Sequence, residues 1–131
     1  MTAWALAYAA TLLVIGALDA LWLGVLARDF YRNELAAVMV QPFRTVPAVL
    51  FYLGYPLGVM ALTFNPMPDS MGSAVLRAAL VGLVAYATYD LTNLATLQAW
   101  NWKLALVDTA WGVFLTSCAG AAAYAVLRRM A

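Results

Sequence analysis

The sequence predicts an all-α bundle of four transmembrane helices with a short interfacial helix between helices 1 and 2. Three observations lead there. Of 131 residues, 66% are hydrophobic and only 10% are charged, which is far more apolar than a soluble domain. The charged residues gather in short stretches and leave apolar runs near 3–27, 45–64, 73–98 and 104–127. Each run is long enough to cross a bilayer, which takes about 20 residues. Together they use most of the chain, so 1–131 reads as a single membrane domain.

Helix 1 opens with Trp4 and Tyr8, residue types that favour the membrane–water interface. It lacks the basic leader of a signal peptide, and Asp19 interrupts its apolar run, so it reads as a retained span. Asp19 and Trp22 share one face, and Gly16-xxx-Ala20-xxx-Gly24 forms a small-residue ridge suited to helix packing. The stretch from Arg28 to Gln41 is amphipathic. Phe30, Tyr31, Leu35, Val38 and Met39 oppose Arg28, Asp29, Arg32 and Asn33, as expected of a helix lying in the interface. Pro42 ends it. Helix 2 tolerates Pro47 in its first turn and encloses Pro56 between Gly54 and Gly58, which predicts a kink.

The loop Asn65–Gly72 precedes helix 3, whose Tyr86-Ala87-Thr88-Tyr89-Asp90-Leu91-Thr92-Asn93 run is a polar seam in an apolar helix. Trp100 and Trp102 bracket a tight connection and mark a boundary with water. Helix 4 carries Asp108 and Trp111, a Gly112-xxx-Thr116-xxx-Gly120 packing ridge, and Arg128 and Arg129 as closing anchors.

The three aspartates are the informative residues. A carboxylate in hydrocarbon costs roughly 2.5–3.5 kcal/mol on insertion scales, so it persists where it faces a partner or a watery cavity. Asp19 lies nine residues before Arg28, Asp90 eight before Gln98, and Asp108 five after Lys103. At 1.5 Å per residue all three fall about 8–14 Å below one surface, in one leaflet. Asp19-Ala20-Leu21-Trp22 and Asp108-Thr109-Ala110-Trp111 also repeat a pattern that sets an indole one turn from a carboxylate. Asp19, Asp90 and Asp108 are therefore the candidate acid/base or cation-binding groups. Trp22, Tyr86, Tyr89, Asn93 and Trp111 are expected to line an amphipathic pocket with them, and Arg28 and Arg32 to steer a lipid headgroup. A purely structural use, with the acids bonded to Arg77, Lys103 or neighbouring hydroxyls, stays open.

Several chemistries are excluded. There is no histidine, hence no His-ligated haem or zinc and no Ser–His or Cys–His pair. No Asp-xx-Asp, HExxH or GxSxG motif is present. No cofactor is evident, although a divalent cation on the carboxylates stays open. The single Cys118 reads as a small packing residue. A net charge of +1 gives no footprint for nucleic acid.

Asp19-xx-Trp22-Leu23, Tyr89-Asp90-Leu91-Thr92-Asn93-Leu94-Ala95-Thr96 and Asp108-xx-Trp111-Gly112 together resemble a bacterial family of small multi-pass inner-membrane proteins of unknown function, DUF2177. The resemblance implies a four-helix inner-membrane protein. It implies an association with fatty-acyl modification but supplies no established activity and no catalytic residue.

Three function classes follow. The first is a lipid-associated membrane enzyme, or an accessory to lipid (fatty-acyl) modification. The second is a proton-coupled transporter of a small amphipathic or cationic solute, and the third a non-catalytic lipid-binding or complex subunit. Acids placed off-centre favour lipid chemistry, because alternating access calls for a midplane site. Membrane lipid is the expected partner, and a homo-oligomer stays open. Arg28, Arg32, Arg44 and Lys103 on one side outnumber Arg77, Arg128 and Arg129 on the other, which orients both termini away from the cytoplasm.

Overall fold

The computed structural model describes residues 1–40 and 42–130, and these are helical with no strand. The helices are α1 (Thr2–Leu21), α2 (Arg28–Leu35), α3 (Thr45–Thr63), α4 (Met71–Thr96) and α5 (Trp102–Met130), with a π-helical turn, Trp22–Leu26, extending α1. Four stretches are long and apolar enough to cross a membrane: Thr2–Leu26, Thr45–Thr63, Met71–Thr96 and Trp102–Met130. Leu13, Val46, Leu50, Leu62, Leu76, Val84 and Leu106 all point outward, as side chains facing lipid do.

Local signals set the ends. Ser70 caps α4 by accepting from the Ser73 amide at 3.1 Å, so that helix starts at Met71, earlier than the apolar run. Asn101 does the same for α5, accepting from the Leu104 amide at 2.8 Å. The π-helical turn closes with the Ala27 amide bonded to the Trp22 carbonyl at 2.7 Å. Ala27 then leaves helical geometry at φ −117° and ψ 14°, which starts α2 on a new axis. The expected interfacial helix is shorter than its pattern suggested and ends at Leu35, with Val38 and Met39 turning back onto the Leu35 carbonyl. From Ala36 to Val40 every residue is apolar, so no polar face remains to hold an amphipathic helix at a water boundary. Gln41, the expected end, lies outside the described residues.

α5 is the central helix: 44% of its most apolar window is buried, against 17% for each of the other three. It packs most extensively on α4, then on α1, while α3 leans on α1 and α4 from outside. The α4–α5 seam depends on missing side chains. A Cβ at Gly112 would enter the Tyr86 ring, one at Gly82 would meet the Gly112 carbonyl and Thr116, and one at Gly120 would meet Ala78. The expected Gly112-xxx-Thr116-xxx-Gly120 ridge is thus a real close approach. The Gly16-xxx-Ala20-xxx-Gly24 ridge is not. Nothing lies within 4 Å of a Cβ at Gly16 or Gly24, nor at Gly54 or Gly58.

The interior forms three layers. Ala7, Met60, Phe64, Ala74, Ala123, Tyr124 and Leu127 fill one end, Ile15, Leu115 and Ala119 the middle, and Ala27, Tyr31 and Leu104 the other end beneath α2. Pro56 sits buried inside α3 and removes the amide that would bond the Tyr52 carbonyl. One residue on, the Leu53 carbonyl accepts from the Tyr8 hydroxyl of α1 at 2.8 Å. The polar residues concentrate between the middle layer and the α2 end.

The glycine contrast is testable. Gly112→Ala should destabilise the bundle by roughly 1–3 kcal/mol through overpacking against Tyr86. Gly58→Ala, in open space, should be neutral or gain up to about 1 kcal/mol from helix propensity. Thermal unfolding of both purified variants in one detergent checks the difference.

Candidate functional site

Each aspartate is held by aromatic or hydroxyl donors. Asp19 on α1 is 5% exposed, and its two oxygens accept from Trp111 Nε1 of α5 and the Tyr52 hydroxyl of α3, both at 2.8 Å. Asp108 on α5 accepts from the Tyr31 hydroxyl of α2 at 2.7 Å, and that hydroxyl accepts in turn from Trp22 Nε1 at 3.1 Å. Asp90 on α4 is fully buried; it accepts from Trp100 Nε1 at 3.2 Å and from Thr109 Oγ1 at 3.1 Å. Thr109 follows Asp108 on α5, so its bond to Asp90 brings the two acids into one neighbourhood.

The two Asp-xx-Trp pairs are cross-connected. Each indole sits one turn from the carboxylate on its own helix, yet it does not bond that one directly. Instead Trp111, next to Asp108 in sequence, donates to Asp19, while Trp22, next to Asp19, reaches Asp108 through Tyr31. The two indoles stack face to face, with centroids 4.4 Å apart and an interplanar angle of 6°. The α1–α5 contact therefore carries two crossed sets of polar bonds beside an aromatic stack. Helical spacing fixes which face a residue occupies, and a side chain as long as tryptophan uses that face to reach the neighbouring helix.

Among the described residues no base pairs with these acids. The ion pair found among the described residues joins Lys103 to Glu34 at 3.5 Å, with Asn101 Nδ2 also donating to Glu34. Together these contacts tie α2 to the first turn of α5 and the connection before it. Arg77 donates to the Thr63 and Pro66 carbonyls at the opposite end of the bundle. Burial pushes the Tyr31 phenol up, and the Asp108 carboxyl beside it adds to the effect, so Tyr31 stays a neutral donor. Among the described residues no group of three or more His, Cys, Asp or Glu side chains is arranged to hold a metal ion. The oxygens of Asp19 and Asp90 already face indole and hydroxyl donors.

Two cavities meet at Asp19. The first, about 390 Å³, is bounded by Asp19, Tyr52, Tyr86, Tyr89, Asp108 and Trp111. The second, about 930 Å³, runs along α1 past Gly16 and Gly24 and under α2, where Arg28, Tyr31 and Arg32 line it. Asp19, Leu23 and Tyr52 belong to both. Of the residues expected at the site, Asp19, Asp108, Trp111, Tyr86 and Tyr89 face the first cavity, and Arg28 and Arg32 the second. Trp22 supports the stack, and Asp90 lies behind Asp108. Asn93 lines neither cavity and sits beside the Tyr89 hydroxyl.

The sequence reading missed four donors: Tyr31, Tyr52, Trp100 and Thr109. Trp100 carried the signature of an interface residue and Tyr31 that of an apolar helix face. Both roles coexist with donation, because each ring has a polar tip. Tyr52 precedes the Gly54–Gly58 proline segment and carried no separate signal. If Tyr31 and Glu34 hold α2 to the bundle, the double variant Tyr31→Phe/Glu34→Gln should raise amide exchange over 28–35 at least tenfold, since two bonds of about 1 kcal/mol each are lost. Hydrogen exchange read by mass spectrometry, with α4 and α5 unchanged, checks it.

No curated protein and no solved structure matches the chain. One family does, described as a predicted membrane protein, and it matches residues 4–125. That span contains every residue of the acid and aromatic network, from Asp19 to Trp111, together with all but the end of α5. The chain is a membrane protein of the DUF2177 family.

Proposed function

We propose that this protein acts on, or presents, an amphipathic membrane lipid, with Asp108 and Asp90 as the acid/base pair. The observation that carries the reading is an acid cluster without a cation, set off-centre beside an aromatic cavity. Asp19 lies near one end of its span, Asp90 near the end of α4 and Asp108 near the start of α5. That is headgroup depth rather than the midplane a carrier needs.

Asp108 faces the cavity and Asp90 stands behind it. A carboxylate offers acceptors only, so neighbouring carboxyls bond to each other only by sharing a proton. Such a pair can hand a proton to a lipid functional group through Asp108 and take one back, with Asp90 as the reserve. Tyr31 and Thr109 orient the two carboxyls. The walls formed by Tyr86, Tyr89 and Trp111 suit an acyl or other apolar portion. The excess of basic residues at the α2 end supports a site in the cytoplasmic leaflet of a bacterial inner membrane, with both termini on the far side.

A second reading is a proton-coupled carrier of a cationic amphiphile. It is favoured by the same acids, which have no ion-pair partner among the described residues, since aromatic walls and carboxylates also attract cations.

The test is lipid analysis of cells expressing wild type, Asp108→Asn or Asp90→Asn, each checked for folding. Wild type should alter the phospholipid or fatty-acyl profile. Asp108→Asn should abolish the change, and Asp90→Asn should reduce it about 10²-fold or more, the usual loss when a general acid/base is removed. A wild-type profile identical to that of the empty vector, or full activity in Asp108→Asn, would overturn the reading.

A further inference from the structure

The larger groove carries charges of both signs, and they are not paired with each other. Arg28 and Arg32, one turn apart on α2, line its mouth and are exposed. Neither makes an ion pair among the described residues. Deeper in the same groove lies Asp19, nearly buried, its carboxylate held by two neutral donors and no cation. Between them the floor is the Gly16-Ala20-Gly24 ridge, which no helix covers. Leu35, Met39, Val40 and Phe43 supply an apolar wall.

We propose that this groove binds a zwitterionic aminophospholipid, with its phosphate on Arg28 and Arg32, its primary ammonium on Asp19, and an acyl chain along the small-residue ridge. The assignment rests on the lipid reading above and narrows it to one headgroup class. Charge complementarity selects the occupant. A phosphate suits a pair of guanidinium forks at the membrane surface, where arginine heads stay near water while their stems cross apolar surface. A headgroup carrying only negative charge would satisfy the arginines but bring no cation to Asp19. A neutral lipid would leave all three charges without partners.

The ammonium end is specified by hydrogen bonding. Asp19 accepts one bond on each oxygen and has lone pairs to spare, and a primary ammonium brings three N–H donors. The ridge explains the rest of the shape. Glycines at 16 and 24 keep the groove floor low enough for a hydrocarbon chain to lie against backbone. Because Asp19 and Tyr52 also wall the smaller cavity, an amine held there sits at the boundary of the compartment that contains Asp108.

The experiment is native mass spectrometry of detergent-purified protein after adding phospholipids with identical acyl chains. The headgroups are phosphatidylethanolamine, its N-acetyl derivative, phosphatidylcholine and phosphatidylglycerol. Wild type should retain phosphatidylethanolamine about tenfold over the other three, the ratio that one charge-assisted hydrogen bond supplies. Arg28→Gln/Arg32→Gln, at exposed positions, should lower retention of all four lipids together. Asp19→Asn should keep binding and lose the preference; if that variant does not fold, the N-acetyl comparison on wild type decides. Equal retention of all four, or a preference for phosphatidylglycerol or phosphatidylcholine, would overturn the headgroup assignment and leave the lipid reading standing. Retention of no lipid above the detergent background would overturn both.

Discussion

The structure depends on one constraint: two buried carboxyl groups, Asp19 and Asp90, and a half-buried one, Asp108, sit in an apolar bundle, and among the described residues none of them is ion-paired with a basic side chain. Burying a carboxylate without partners costs several kcal/mol, and five side-chain donors are committed to the three acids. Trp111 and Tyr52 serve Asp19, Tyr31 serves Asp108, and Trp100 and Thr109 serve Asp90. These donors come from α2, α3, α5 and the α4–α5 connection, so the acids fasten the helices to one another as well as forming the site. Losing any one donor leaves a buried acceptor short, a larger penalty than the net worth of the bond itself.

This requirement also divides the molecule. At the end away from α2 the core is largely apolar, with Met60, Phe64, Tyr124 and Leu127 packed together and Gly120 letting α5 close onto Ala78 of α4. At the α2 end the helices cannot close as tightly, because bulky indoles and phenols must reach the carboxyls. The Trp22–Trp111 stack props α1 against α5, and α3 stands off at the periphery. The cavities fall where the polar network keeps the helices apart. The π-helical turn at Trp22–Leu26 belongs to the same economy of space, since it redirects the chain just past Asp19 and lets α2 bring Tyr31 back over the bundle.

Much of this was legible in the residues. Hydropathy alone separates four spans, and the cost of intramembrane acids singles out Asp19, Asp90 and Asp108 before any fold is known. Their common depth follows from counting residues to the nearest polar connection. The partners were not legible. Asp19-xx-Trp22 and Asp108-xx-Trp111 suggest local pairs by helical spacing, yet the indoles exchange carboxylates across α1 and α5, which depends on side-chain direction and helix separation. Gly16-xxx-Ala20-xxx-Gly24 and Gly112-xxx-Thr116-xxx-Gly120 look alike in sequence. Only the second meets a helix, because a small-residue ridge records permission for close approach and not the presence of a neighbour. The length of α2 was overestimated for a related reason: apolar periodicity continues past Leu35 while the polar face does not.

The central claim is that intramembrane carboxyls are satisfied by aromatic N–H and O–H donors in a crossed pattern. The most direct measurement is nuclear magnetic resonance of the indole N–H groups of the five tryptophans in protein labelled at indole nitrogen. Asp19→Asn should shift the Trp111 indole strongly and leave Trp100 in place, whereas Asp90→Asn should shift Trp100 and leave Trp111. Asp108→Asn should move Trp22, acting through Tyr31. If Asp19→Asn instead moved Trp22 directly and left Trp111 untouched, or if no indole responded to any of the three, the crossed network would be wrong.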